Sequence, residues 1–195
     1  MRIAVTGGIA CGKSLAGTFL SEAGIPVCDA DDVARAVTAR AGEAYAGVVA
    51  AFGAGFVQTD GELDRAALGR RVFGSPAELA RLNALVHPAV MNRLRAWAVE
   101  AAARAPHLAA VIPLLYEIED AAAWDLVICI GAPEAEQLAR LHLRGLSEVD
   151  ARARSAAQWP LATKMERADR VIFNGGTPAE LKQQTQRVIR SIRGE

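Results

Sequence analysis

The run Gly7-x-x-x-x-Gly12-Lys13-Ser14 follows directly on a short apolar run, Ile3 to Thr6, and opens a helical pattern from Lys13 to Ala23. A strand, a turn bracketed by glycines and a helix, in that order, make a cradle for phosphate. The glycines let the backbone fold tightly enough for successive N–H groups to point at one anion, and the helix adds its positive N-terminal end. Lysine and serine then stand where the β- and γ-phosphates and a divalent cation are held. This Walker A pattern commits the chain to an α/β fold with the loop at the carboxyl end of a strand.

The remaining apolar runs fit that commitment. Ile25 to Cys28, Ala109 to Ile112, Leu126 to Ile130 and Arg170 to Phe173 are brief and mostly rich in Val and Ile. With Ile3 to Thr6 they predict a parallel five-stranded sheet flanked by helices. Between the second and third runs lies a long stretch without a strand signal. It reads as helices over Asp32 to Arg40, Glu43 to Phe52, Arg65 to Phe73, Pro76 to Val86 and Pro88 to Arg104. Ser75-Pro76 with Glu78 has the form of a capped helix start, and His87-Pro88 is expected to end one helix and begin another. The organisation expected is a single P-loop NTPase-type domain. Its nucleotide core covers 1–31, 108–135 and 168–195, with a helical substrate subdomain at about 32–107 and a lid at about 136–167.

Charge narrows the partners. Lys+Arg and Asp+Glu are both 22, so no global field attracts nucleic acid or an anionic membrane, and an anion site has to be local. Neither is expected as a partner. Lysine is scarce, present only as Lys13, Lys164 and Lys182, which makes Lys13 easier to notice. Cys11, Cys28 and Cys129 are scattered, with the spacing of neither a disulfide framework nor a zinc site. No apolar run reaches membrane length, and the opening residues read as a strand rather than a signal peptide. A cytoplasmic monomer is expected, with weak self-association left open.

A phosphate loop does not name a reaction. The Asn-Lys-x-Asp motif of guanine-specific switches is absent, and the third strand runs through Val111-Ile112 to Pro113 without an acidic residue. Mg²⁺ would then rely on Ser14, water and a carboxylate from elsewhere. Asp29-Ala30-Asp31-Asp32, at the end of the second strand, is the candidate source, since ligands of such sheets bind outside the carboxyl ends of strands. One of these aspartates could accept or orient the proton of an attacking hydroxyl; the alternative is that Asp29 and Asp31 cap the following helix. Arg140 and Arg144 lie four apart on a helix after Ala132-Pro133-Glu134. They are either a solvated face or the arginines of a lid that supplies transition-state charge.

Over nearly its whole length the sequence resembles the dephospho-coenzyme A kinase family. The resemblance is carried by Thr6-Gly7-Gly8-Ile9 with Gly12-Lys13-Ser14, by Asp29-Ala30-Asp31 with Arg35, and by Gly61-Glu62-Leu63-Asp64-Arg65. Leu85-Val86-His87-Pro88, Pro113-Leu114-Leu115-Tyr116-Glu117, Gly145-Leu146-Ser147 and Ala168-Asp169-Arg170-Val171-Ile172-Phe173-Asn174 extend it. It implies transfer of the ATP γ-phosphate to the ribose 3′-hydroxyl of dephospho-CoA, with ATP and Mg²⁺ as cofactors. It also implies roles. Asp31 becomes the base or hydroxyl-orienting group. Gly8, Ile9, Ala10, Cys11, Gly12, Lys13, Ser14 and Leu15 hold the phosphates, with Ser14 on the metal. Arg140 and Arg144 become the lid arginines, Asn174 and Gly175 approach adenine, and Arg35, Arg65 and His87 face dephospho-CoA. Four positions depart from the family form: Ala10 for glycine, Cys11 for serine, Leu15 for threonine and Phe173 for a frequent aspartate. Ala10 is mild unless φ must be positive there. The Cys11 thiol is either acidified by the helix N-terminus or buried and inert. Another small-molecule or nucleoside monophosphate kinase on the same core is the nearer alternative, and an ATP-dependent regulatory module the more distant one.

Overall fold

The computed structural model describes residues 1–195. Strand β1 (Arg2–Gly7) is buried from Ile3 onward and pairs in parallel on both sides. Its neighbours are β3 (Leu108–Val111) and β4 (Leu126–Gly131), with β2 (Val27–Asp29) and β5 (Arg170–Phe173) at the edges, in the order β2-β3-β1-β4-β5. Burial on both faces is why the inner strands read as continuous apolar runs rather than alternating ones. Register sets one face: Val5 lies opposite both Val111 and Ile128, and Ile130 lies opposite Ile172. These side chains join Phe19 and Leu20 of α1 (Lys13–Glu22) and Leu181 and Ile189 of α9 (Pro178–Arg193) in one core. The start of α9 is fixed locally, by a capping box between Thr177 and Glu180 with Pro178 in the first turn.

The chain divides into two compact units, Met1–Asp29 with Ala98–Glu195, and Ala30–Trp97. The first also carries α6 (Glu134–Leu143) and α7 (Glu148–Ala156), a helical pair turned at Gly145, which takes φ 81°. Ser147 caps α7 by accepting from the Asp150 N–H. Leu141 and Ala151 of this pair pack with Ala10 in a small apolar cluster. Helix α8 (Leu161–Arg167) leads on to β5 and packs on β1 and β4.

The second unit consists of α2 (Ala30–Val37), α3 (Tyr45–Phe52), α4 (Arg65–Phe73) and most of α5 (Pro76–Ala102). Val48, Leu63, Leu68 and Val72 form its core, with Leu79, Leu82, Leu85 and Val86 against it.

Two expectations are corrected here. His87-Pro88 does not separate two helices, because α5 runs unbroken through Pro88. Proline removes the N–H that would bond the Ala84 carbonyl. Apolar packing on both sides of it, from the partly buried Leu85 and Val86 before and the buried Val90, Met91 and Leu94 after, holds the helix together across the gap. Asp31 does not end the second strand: β2 stops at Asp29, and Asp31 is the second residue of α2. The edge strand pairs only with β3, so its ladder ends where β3 ends, at the Asp29–Val111 pair.

Candidate active site

The turn between β1 and α1 owes its shape to two glycines. Gly7 takes φ 141°, and a Cβ there would collide with the Ile130 carbonyl oxygen. Gly12 takes φ 99°, and a Cβ there would lie 2.5 Å from Asn174 Nδ2. Gly12 is also the N-cap of α1 and provides no side-chain cap, so the first N–H groups of the helix are available to an anion. Ala10 takes φ 56°. The position therefore does demand the left-handed backbone that glycine accepts without cost, and alanine carries a strain there.

Lys13 is 9% exposed, and its ammonium donates to the Gly8 carbonyl at 2.7 Å and to the Gly7 carbonyl at 3.3 Å. A cation is thus held inside the turn. Ser14 Oγ donates to Asp29 Oδ2 at 3.3 Å, which brings a hydroxyl and a carboxylate together at the carboxyl end of the sheet. Cys11 is fully buried. Burial pushes its thiol pKa up, only partly opposed by Lys13, so the inert form is the one realised. Leu15 packs partly buried against the main core.

The two candidate arginines part company. Arg140 donates to the Ala10 carbonyl at 3.2 Å and to the Asn174 carbonyl at 3.4 Å, with Glu136 beside it. Arg144 is the C-cap residue after α6 and is exposed. Asn174 lies directly after β5 and is buried. Its side-chain amide donates to the Cys11 carbonyl at 2.9 Å and its backbone N–H to the Gly131 carbonyl at 2.7 Å. Asn174 is therefore an anchor of the phosphate loop. Gly175 is exposed, and a Cβ there would meet Pro133 at 3.5 Å. Phe173 is 49% exposed at the end of β5.

The residues expected to face an acceptor belong to the second unit. Arg65 donates to the Thr38 hydroxyl at 2.6 Å and to the Arg35 carbonyl at 2.9 Å, closing the C-terminal end of α2. Arg35 itself pairs with Asp32 at 2.8 Å. His87, inside α5, has its pKa held below the usual histidine value by burial, so it is a neutral hydrogen-bonding group at pH 7.

A cavity of about 280 Å³ opens beside the phosphate loop, lined among others by Gly8, Ile9, Gln137, Leu141, Arg152 and Trp159. Sequence reasoning left two residues near it without a role, Lys164 and Glu117. Lys164 is fully buried and pairs with Glu117 at 2.6 Å. The signal was present in the composition, since Lys164 is one of three lysines in an arginine-rich chain.

The comparisons with known proteins agree with this geometry. A family model described as dephospho-CoA kinase matches residues 1–180. A dephospho-CoA kinase of Geobacillus kaustophilus is 46% identical over 193 residues, covering 97% of this chain and 96% of that one. Among solved structures, TT1252 from Thermus thermophilus superposes with a TM-score of 0.81 at 32% identity, covering 98% and 97% of the two chains. A dephospho-CoA kinase from Campylobacter jejuni gives 0.69 at 26% identity, covering 98% and 96%. With the family model spanning nearly its whole length, the chain belongs to the dephospho-CoA kinase family.

Proposed function

We propose that the protein transfers the γ-phosphoryl group of ATP to the ribose 3′-hydroxyl of dephospho-CoA, giving coenzyme A and ADP. Membership of the family across residues 1–180 is the observation that carries the choice of acceptor. The glycine-shaped turn with Lys13 inside it supports ATP as the donor.

The oxygen donors present suit Mg²⁺. Ser14 Oγ and Asp29 Oδ2 are hard ligands 3.3 Å apart, and Mg²⁺ in phosphoryl-transfer sites takes one or two protein oxygens and completes its shell with phosphate and water. A bound ion would neutralise phosphate charge there. Ser14 would be a direct ligand, and Asp29 would hold the Ser14 hydroxyl or a coordinated water.

The remaining work falls to the chain. Backbone N–H groups of residues 8–14 bind the phosphates, and Lys13 moves from loop carbonyls to phosphate oxygens. Asp31, two residues beyond Asp29, accepts the proton of the 3′-hydroxyl. The new bond joins the 3′-oxygen to the γ-phosphorus. The bond to the β–γ bridging oxygen breaks, and ADP leaves with that electron pair. The helical pair α6–α7 acts as the lid: Arg140, already at the loop, and Arg144, brought in by closure, stabilise the equatorial oxygens. Arg35, Arg65 and His87 bind dephospho-CoA, with Gly175 and the Asn174 backbone beside adenine. No helix is long and apolar enough to cross a membrane, and we place the protein in the cytoplasm as a monomer.

Incubation with ATP and Mg²⁺ against dephospho-CoA, AMP and shikimate tests the assignment. Phosphorylation of dephospho-CoA alone is expected. Turnover of AMP without dephospho-CoA overturns it in favour of a nucleoside monophosphate kinase.

A further inference from the structure

The most deeply buried charge in the protein lies outside the roles assigned above. Lys164, on α8, has no exposed surface. An ammonium in that position has to be matched by acceptors, or its desolvation disfavours the fold. Both of the acceptors seen belong to the segment that follows β3: Lys164 Nζ donates to the Pro113 carbonyl at 2.9 Å and to Glu117 Oε1 at 2.6 Å.

Each acceptor is shared, and the sharing shows what the pair holds. The Pro113 carbonyl also takes the Thr6 hydroxyl at 3.4 Å, and Thr6 is the residue before the phosphate loop opens at Gly7. Glu117 Oε1 also takes the backbone N–H of Trp159 at 2.8 Å. Trp159 stacks on Tyr116, with ring centroids 6.1 Å apart and planes 13° from parallel, and Arg167 covers it at 5.2 Å. Trp159 and Pro160 are where the chain leaves the α6–α7 pair and enters α8. One buried cation therefore ties the trailing end of that pair to the strand that carries the phosphate loop.

We infer that Lys164 and Glu117 are positioning residues for phosphoryl transfer. They fix the trailing hinge of the lid at Trp159–Pro160, so that α6 and α7 close about a post set by the phosphate-loop strand while Arg140 keeps a defined place beside the loop. The inference rests on the reading of Arg140 as a lid arginine. Buried ion pairs are poor sources of stability, since an apolar pair of similar volume often serves as well. The geometry they impose is what such a substitution removes.

The test is a cycle of variants. Lys164→Met/Glu117→Leu removes both charges at once and leaves neither stranded. Its thermal transition is expected to fall by only a few degrees, for the Trp159 N–H left without its acceptor, and its calorimetric affinity for ATP to stay near wild type, while kcat falls about tenfold or more through a misplaced transition-state contact. In an Arg140→Met background the same double replacement is expected to cost less than about twofold, because its effect passes through Arg140. Wild-type kcat in the double variant, or equal losses in both backgrounds, overturns the inference. Wild-type kcat in Arg140→Met alone overturns the lid-arginine reading instead, so the two failures are distinguishable. Hydrogen exchange of the unmodified protein needs no variant to fold. The Trp159 amide is expected to be equally protected with and without ATP and Mg²⁺, while amides at 145–147 change. Loss or gain of protection at Trp159 on adding nucleotide shows that the hinge is not fixed, and overturns the proposal.

Discussion

Asn174 Nδ2 donates to the Cys11 carbonyl at 2.9 Å, and the same amide nitrogen lies where any side chain on Gly12 would have to go. A buried residue from the end of β5 thus fastens the middle of the phosphate loop and forbids a Cβ beside Lys13. Arg140 completes the set by donating to the Asn174 carbonyl. Replacing Asn174 by Ala strands the buried Cys11 carbonyl, which should cost about 1–2 kcal/mol of stability in urea unfolding. Loosening the loop should also weaken ATP binding about tenfold by calorimetry. Asn174→Asp should weaken it further, because a carboxylate would face a carbonyl and bring negative charge towards the phosphates. ATP affinity unchanged in both variants would remove Asn174 from the loop's support.

Ala10 is the one position in the loop where sequence and backbone conflict. Its φ of 56° costs an L-residue about 1–2 kcal/mol relative to the right-handed region. Its methyl is buried against Leu141 and Ala151. Ala10→Val adds β-branching at positive φ and overpacks that cluster, and should lose about 2 kcal/mol or more. Ala10→Gly relieves the strain but enlarges the freedom of the unfolded chain. Its melting temperature should stay within about 5 °C of wild type, with kcat unchanged. A well-tolerated valine, shown by an unshifted melting curve, would mean that the left-handed backbone at this position is not enforced.

How legible the molecule was in its sequence depended on how local the cause was. The β1–loop–α1 unit could be read because its strand, glycines and helix are contiguous, and β5 could be read from a single apolar run. The unbroken passage of α5 through Pro88 could not, because proline is a local stop signal overridden here by the burial of Val90, Met91 and Leu94. The bounds of β2, expected over Ile25 to Cys28 and found at Val27–Asp29, were misjudged because strand ends follow the partner's length, and Asp29, Asp31 and Asp32 look alike on the page. Asn174 and Lys164 owe their roles to carbonyls and a carboxylate far away in the chain, at Cys11, Pro113 and Glu117. Hydrogen bonds to backbone carbonyls leave no trace in the identity of the acceptor. The Ala10 substitution, by contrast, pointed directly at the backbone angle to be checked.

Burial also gives the sheet a pH dependence. Cys129, fully buried on β4, has its thiol pKa pushed up to about 11, with burial the first cause and the neighbouring Cys11 the second. In the unfolded chain a thiol ionises near ~8.5. The folded form therefore holds its proton while the unfolded form releases it, and this contribution to stability is whole below ~8.5 and lost as pH rises towards the folded value. Between those limits each such thiol should remove about 1.4 kcal/mol of stability per pH unit. Urea unfolding at pH 8 and pH 10 should show a smaller decline in Cys129→Ala than in wild type, whatever the starting stability of the variant. Iodoacetamide at pH 7.5 should leave Cys11 and Cys129 of the native protein unmodified.

Asp29 and Asp31 stand two residues apart in sequence but belong to different elements, and that separates their chemistry. Asp29 closes β2 and accepts from the Ser14 hydroxyl, so its replacement acts on the oxygens offered to Mg²⁺. Asp31 lies in the first turn of α2. As the group proposed to take the 3′-hydroxyl proton, it acts on the transferring step instead. Asp29→Asn should raise the Mg²⁺ concentration needed for half-maximal rate about tenfold, with much of kcat recovered at saturating metal, because a neutral amide attracts the ion less but still offers an oxygen. Asp31→Asn should leave the Mg²⁺ requirement and ATP affinity unchanged while lowering kcat by about 10²-fold or more, the usual size of a general-base contribution. Steady-state rates titrated with Mg²⁺ at fixed ATP and dephospho-CoA distinguish the two directly. Interchanged phenotypes would assign the base to Asp29 and the metal to Asp31. Wild-type turnover in Asp31→Asn would leave deprotonation of the hydroxyl to solvent.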